Sequence, residues 1–225
     1  MYSIAIDGPA GAGKTTVAKK LARDLDILYV DTGAFYRTIA VAIRRHRWQL
    51  SQLTTEQLQK IRIAVQLVDG MQRMILNGED VTDFLRTPEM SKLASDCSAL
   101  PVVRDYLLEA QRKLAKKESV VMEGRDIGTV VLPDATLKVF LTADLPIRAE
   151  RRYKEINDPS MTLAEVEAVM RERDVNDSTR SVAPLKQAED AYYLDSTTKT
   201  IEEVEKAILE VLHERIGVYC TNTNI

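Results

Sequence analysis

Residues 8 to 15 read Gly8-Pro9-Ala10-Gly11-Ala12-Gly13-Lys14-Thr15, a complete match to G-x-x-x-x-G-K-[ST]. What flanks this window turns the match into a fold constraint. Before it, Ser3-Ile4-Ala5-Ile6-Asp7 places Ile4 and Ile6 in the alternation of a short buried strand. After it, Val17, Ala18, Leu21, Ala22 and Leu25 recur at helical spacing, with Lys19, Lys20 and Arg23 turned outward. A strand that runs through a glycine-rich loop into a helix makes a phosphate cradle. The glycines let backbone N–H groups curl around the anion, and the helix N-terminus adds partial positive charge. Lys14 is placed to reach the β- and γ-phosphates of a nucleoside triphosphate, and the Thr15 hydroxyl to ligate Mg2+. The loop does not say what receives the phosphate.

Four more apolar runs, at residues 27–30, 120–122, 137–141 and 191–194, have the length of core strands. Helical stretches separate them, and most end at an acidic residue or a turn. With the first strand they predict an α/β fold, a five-stranded parallel sheet flanked by helices. Ligands of such sheets sit outside the carboxyl ends of the strands. The turns that matter are therefore the glycine-rich loop, Asp31-Thr32-Gly33 and Glu123-Gly124-Arg125-Asp126.

Two segments break the alternation. In the first, about 50–90, Ile61, Ile63, Val65 and Leu67 alternate with Arg62, Ala64 and Gln66 as in a half-buried strand. Asp69-Gly70 and Asn77-Gly78 mark tight turns on either side of residues 71–76, and Glu79-Asp80-Val81 follows, which predicts an inserted antiparallel meander. Thr87-Pro88 then caps and opens a helix. The second segment, about 146–180, carries Arg148, Arg151, Arg152, Lys154, Arg171, Arg173 and Arg180, with a helix restarting at the capping box Thr162-Leu163-Ala164-Glu165. Its apolar stripe, Leu163, Val166 and Val169, is narrow, so loose packing and freedom to move are expected. Its charges have two readings. One is a solvated helix laced with ion pairs, Glu150 and Glu155 around Arg151 and Arg152. The other is a phosphate clamp, which the neighbouring glycine-rich loop favours.

The 225 residues, 45% hydrophobic and 29% charged, suit one domain with insertions. A net charge of -3 argues against a broad nucleic-acid footprint. Cys97 and Cys220 lack metal or redox spacing, so a reduced cytoplasm is the expected compartment. Neither a leader pattern nor an uncharged apolar run long enough for a membrane span is visible, and no membrane association is expected. His46 and His213 read as surface residues and Trp48 as packing beneath the insertion. Residues 217–225 read as a poorly ordered tail. A switch GTPase is excluded, because D-x-x-G and N-K-x-D are both absent.

Several motifs then resemble one family in register, the bacterial cytidylate kinases. They are Gly8 to Lys14, Asp31-Thr32-Gly33-Ala34-Phe35-Tyr36-Arg37, Gly124-Arg125-Asp126-Ile127-Gly128-Thr129-Val130-Val131 and Arg180-Ser181-Val182-Ala183-Pro184-Leu185. Asn77-Gly78-Glu79-Asp80-Val81-Thr82 and Leu194-Asp195-Ser196-Thr197 add to the likeness, which runs from Ser3 to about Leu212. It implies a P-loop nucleoside monophosphate kinase fold and Mg2+-dependent transfer of the ATP γ-phosphoryl group to CMP or dCMP, by a monomer. It also implies a single domain over 1–216, with a core at 1–49, 91–145 and 181–216. The acceptor-binding insertion would occupy about 50–90 and the lid about 146–180.

By the same resemblance Gly8, Pro9, Ala10, Gly11, Ala12, Gly13, Lys14, Thr15 and Thr16 hold ATP, with Thr15 on Mg2+. Asp126 takes the cytosine amine while Ser95 and Arg104 face its acceptors. Thr32, Tyr36, Arg37 and Arg125 bind the acceptor phosphate, Arg173 and Asp177 the ribose side, and Arg180 bridges the phosphates being joined. Lys14, Arg125, Arg148, Arg152 and Arg180 form the catalytic set. Thr32 stands where the family often has Ser, and both supply a hydroxyl. Uracil would turn an acceptor toward Asp126, a mismatch that can be worth orders of magnitude in discrimination. No general base is needed, since the second pKa of a phosphate monoester is about 6 and the attacking oxygen is largely deprotonated at neutral pH.

Some readings stay open. Asp7, Asp31 and Glu123 all end candidate strands, and any of them could assist Mg2+. Apart from the motif, Arg125-Asp126 could merely close a turn, and Arg173 and Asp177 could be an exposed i,i+4 pair. The rival to a CMP kinase is a kinase of the same fold for UMP or a metabolite hydroxyl.

Overall fold

Successive residues of the central strands go to opposite sides, and that alternation builds two cores on one sheet. Ile4 and Ile6 of β1 (Ser3–Asp7) pack with Val17 and Leu21 of α1 (Lys14–Asp24) and with Val204, Ile208 and Leu212 of α8 (Ile201–Ile216). Ala5, between them, faces the other core, where Phe35 and Ile39 of α2 (Thr32–His46) meet Val103 and Leu107 of α5 (Pro101–Ala115). The computed structural model describes residues 1–68, 71–156 and 160–217. The other strands of the sheet are β2 (Leu28–Asp31), β6 (Val120–Gly124), β7 (Leu137–Thr142) and β8 (Tyr192–Asp195), in the order β2-β6-β1-β7-β8. All neighbours are parallel, and the register sets Asp7 beside Gly124 and Asp31 beside Glu123. The five strands read from the sequence are thus present, each within a residue or two of the expected bounds.

The inserted meander is a separate antiparallel sheet of β3 (Ile63–Val68), β4 (Met71–Leu76) and β5 (Glu79–Asp80), preceded by the short α3 (Thr55–Gln59). Asn77 and Gly78 both take left-handed backbone (φ 52 and 89), which is why that dipeptide makes the tight turn. The other expected turn, Asp69-Gly70, lies outside the described residues. Met74 and Leu76 of β4, with Val81 and Leu85, are buried in the α2 core, so the insertion is anchored on one face only. Thr87 caps α4 (Pro88–Ser98), accepting from the Met90 N–H at 3.1 Å. Trp48 packs against this same core and stacks on the exposed His46.

The cationic segment forms α6 (Leu145–Ile156) and α7 (Leu163–Thr179), and Thr162 and Glu165 make the expected capping box. Its own core is small: Ala149, Val166 and Met170. Of the three apolar residues read as its stripe, Val166 is buried while Leu163 and Val169 are exposed. Among the described residues no helix is long and apolar enough to cross a membrane. Gly217 closes α8 in left-handed conformation (φ 69), and the rest of the expected tail, 218–225, lies outside the described residues.

Candidate active site

The carboxyl ends of β1, β2 and β6 open on one polar cavity of about 250 Å³. Its floor is the glycine-rich loop. Gly8 sits against β7 so closely that an added Cβ would lie 1.9 Å from the Leu141 carbonyl oxygen. The loop's outward carbonyls are tied back. Lys14 Nζ donates to Pro9 O at 2.6 Å, Arg148 to Ala10 O at 3.0 Å, and the Ser196 hydroxyl to Ala12 O at 3.1 Å. With carbonyls turned away, the N–H groups are left for an anion. Ala10, Gly11, Gly13, Lys14, Thr15 and Thr16 face the cavity. Gly8, Pro9 and Ala12 do not, and shape the loop from behind. Burial, aided by the Arg125 charge, pulls the Lys14 ammonium down to about 7.

The three strand-ending carboxylates differ in what they hold. Asp7 accepts the N–H groups of Ile127 and Gly128, both at 2.7 Å, so each of its oxygens holds the π-helical turn Ile127–Val131. Burial pushes it up to about 6. Asp31 caps α2 through Ala34 N and pairs with Arg37 at 2.5 Å. Glu123 is buried at the floor and accepts from the Tyr29 hydroxyl at 2.6 Å. Burial and the nearby Asp31 raise its pKa, against the Lys14 charge and the Tyr29 and Thr15 hydroxyls.

On the opposite wall Arg104 and Asp126, both buried, form an ion pair, with Ser95 and Tyr36 lining the same recess. Burial raises Asp126 even against Arg104 and Arg180. Arg125 Nε donates to Asp177 at 2.8 Å. Burial pushes Asp177 up, but Arg125 and Arg173 outweigh it and hold its pKa low. Arg180 donates to Ala183 O at 2.7 Å and to the Ser98 hydroxyl at 3.1 Å, and lies 3.7 Å from Asp126. Three buried guanidinium nitrogens, Arg37 Nε, Arg173 Nε and Arg180 Nη2, have no hydrogen-bond partner. Orphan cationic donors on one cavity are a site built for anions.

Every residue expected at the acceptor, Thr32, Tyr36, Arg37, Ser95, Arg104, Arg125, Asp126, Arg173, Asp177 and Arg180, lies on the wall of this cavity. Arg152 lies there too. Arg148 does not, and here the structure departs from the expected clamp. Arg148 is buried with its donors engaged, to Ala143 O at 2.7 Å, Ala10 O at 3.0 Å and Asp174 at 2.7 Å. It braces the loop instead of facing a ligand. Sequence reasoning missed Ser91, Ala94 and Ser98, which join Ser95 on the wall. Their signal was present: small side chains at i, i+3, i+4 and i+7 form one face of α4.

The family model for cytidylate kinase matches residues 4–214. The chain belongs to the cytidylate kinase family. It is 48% identical over 217 residues to a cytidylate kinase of Solibacter usitatus, covering 95% of this chain and 93% of that relative. It is 45% identical over 219 residues to the cytidylate kinase of Caldicellulosiruptor saccharolyticus, covering 96% and 97%. Among solved structures, an uncharacterized protein from Eubacterium ventriosum superposes with a TM-score of 0.53 at 15% identity, covering 94% and 98% of the two chains. A gluconokinase from Sinorhizobium meliloti does so at 0.50 and 15%, covering 95% and 92%. Those two likenesses concern the fold alone, a parallel sheet flanked by helices.

Proposed function

We propose that this cytidylate kinase transfers the γ-phosphoryl group of ATP to the phosphate of CMP or dCMP. The observation that carries the reading is the pairing of an anion cradle with a buried carboxylate, Asp126, across one cavity whose guanidiniums keep three buried donor nitrogens free of hydrogen bonds. The cradle from Gly8 to Thr16 takes the donor phosphates. Asp126 accepts from the cytosine amine, Ser95 and Arg104 serve its acceptors, and Asp177 and Arg173 the ribose. Thr32, Tyr36, Arg37 and Arg125 hold the acceptor phosphate, with Arg180 between the two anions.

An attacking phosphate brings its own charge, so these residues act by aligning two polyanions and spreading negative charge. A bound Mg2+ would supply charge neutralisation at the donor phosphates. The Thr15 hydroxyl and the Glu123 carboxylate, hydrogen-bonded to each other on the cavity wall, are oxygen donors that would suit such a hard cation. Asp7 is disfavoured for that role because it lies off the cavity wall, held there by two backbone N–H groups. Residues 1–49, 91–145 and 181–216 form the core in this reading, 50–90 the acceptor insertion, and 146–180 a lid that excludes water when closed. One chain supplies every residue named in this reading, in keeping with a monomer, and the buried free thiol of Cys97 is in keeping with a cytoplasmic enzyme.

A coupled assay with ATP and Mg2+ against CMP, dCMP, UMP, AMP and GMP tests the assignment. CMP and dCMP are expected to exceed UMP in kcat/KM by about 100-fold or more. UMP or AMP as the better acceptor would sink it.

A further inference from the structure

One side chain of the insertion hydrogen-bonds to the backbone of the parallel sheet. Gln72 of β4 accepts the Asp31 N–H on its Oε1 at 2.8 Å and donates from Nε2 to the Asp31 carbonyl at 3.2 Å. β2 is the edge strand of that sheet, so the Gln72 amide occupies the place where a neighbouring strand's peptide group would pair. Gln72 is itself held from the insertion side. Its Nε2 lies 3.0 Å from the sulfur of Met74, and Met74 is buried in the α2 core.

What Gln72 grips is the residue on which the phosphate corner turns. Asp31 Oδ1 caps α2 through Ala34 N at 3.1 Å, and Oδ2 holds the Arg37 guanidinium at 2.5 Å. The corner is close-set: a Cβ added to Gly33 would lie 3.0 Å from Asp31 Oδ1 and 3.1 Å from Arg37 Nη1. A movement of the Asp31 backbone therefore moves Arg37, whose buried Nε has no hydrogen-bond partner.

We infer that Gln72 is a positioning residue for the acceptor: it fixes the Asp31 backbone and, through the Asp31 carboxylate, aims Arg37 at the acceptor phosphate. This rests on the kinase reading above and adds what couples the insertion to the acceptor end of the site. Arg37 gains from such a brace because a guanidinium binds a phosphate well only in a narrow range of orientations.

Two substitutions test it. Gln72→Leu keeps bulk and removes both hydrogen bonds. Gln72→Glu keeps the size and the acceptor but sets an oxygen against the Asp31 carbonyl, so it serves if the leucine variant fails to fold. In each, KM for CMP is expected to rise about fivefold to tenfold while KM for ATP stays within about twofold. Thermal unfolding is followed alongside. In an Arg37→Ala background Gln72→Leu should add less than about twofold, because Gln72 acts through Arg37. An unchanged KM for CMP in both variants overturns the inference, as does an equal rise in both KM values or full additivity with Arg37→Ala. Activity of the unsubstituted protein on CMP, read in the same assay, tests the kinase reading separately.

Discussion

Lys14 is buried in the anion cradle, and its titration should report the arrival of an anion there. Burial and the Arg125 charge lower its pKa to about 7, from an ordinary value of 10.5. The folded, unliganded protein therefore releases this proton more readily than the unfolded chain does. Between about pH 7 and pH 10 the unfolded state binds more protons, so the Lys14 contribution to stability rises with pH across that window. A triphosphate reverses the balance, because its charge favours the ammonium form. ATP binding at pH 8 is expected to take up close to one proton, seen as a dependence of calorimetric enthalpy on the ionisation enthalpy of the buffer. Lys14→Met should abolish the uptake and flatten the rise in Tm between pH 7 and pH 9. Buffer-independent enthalpies at pH 8 would show that Lys14 is already charged. The identity of this lysine was legible in eight residues of sequence, since a motif fixes local geometry. The fate of Asp7 was not. Whether a strand-ending carboxylate faces a ligand or a backbone turn depends on Ile127 and Gly128, far along the chain.

The hairpin of α6 and α7 contains arginines of two kinds, which sequence composition treats as one. Arg152 lies on the cavity wall with a half-exposed side chain paired to Glu155, while Arg148 is buried and tied to Ala143, Ala10 and Asp174. The difference is positional. One helical turn separates them, and the turn nearer β7 is pressed against the loop, where Gly11 would meet the Arg148 backbone if it carried a Cβ. Arg152→Ala is therefore expected to lower kcat about tenfold or more with little change in Tm. Arg148→Met should instead cost stability, roughly 2 to 4 kcal/mol, because it leaves two carbonyls and Asp174 without their cation. It should also raise KM for ATP by slackening the loop. Arg148→Lys is not expected to rescue, since an ammonium cannot span three divergent acceptors as a planar fork does. Melting curves and initial rates on the three variants decide this, and an Arg148→Met protein as stable as the parent refutes the brace. Elements were the most legible scale of all. The strands, the Asn77-Gly78 turn and the Thr87 and Thr162 caps follow from local patterns. The Arg104–Asp126 pair joins residues whose meeting no periodicity encodes, so only family resemblance brought them together in advance.

At the scale of the whole molecule the cleft gathers more cations than carboxylates at the carboxyl ends of the sheet. Arg125 lowers the pKa of both Lys14 and Arg173, and Arg104 that of Arg180, each after the larger effect of burial. Arg173 is pulled down to about 10 and has only a long 3.9 Å contact with Asp177, which Arg125 already holds at 2.8 Å. Such an arrangement opposes folding and is retained because substrates reverse the sign of the interaction. Arg173→Met should therefore do two things at once. It should cut kcat/KM for CMP by about 100-fold, and it should raise the Tm of the unliganded protein by about 2 to 4 °C, since Asp177 keeps its Arg125 partner. Millimolar sulfate or phosphate at fixed ionic strength should raise the Tm of the parent protein by filling the anion site, and should do so less for Arg173→Met. Low concentrations matter here, because molar sulfate stabilises any folded chain through surface exclusion. If Arg173→Met melts several degrees lower than the parent, Arg173 is a structural residue and the cleft is not strained. A gain in stability joined to a loss of activity instead ties the energetic cost of the open cleft to the two anions it is shaped to hold.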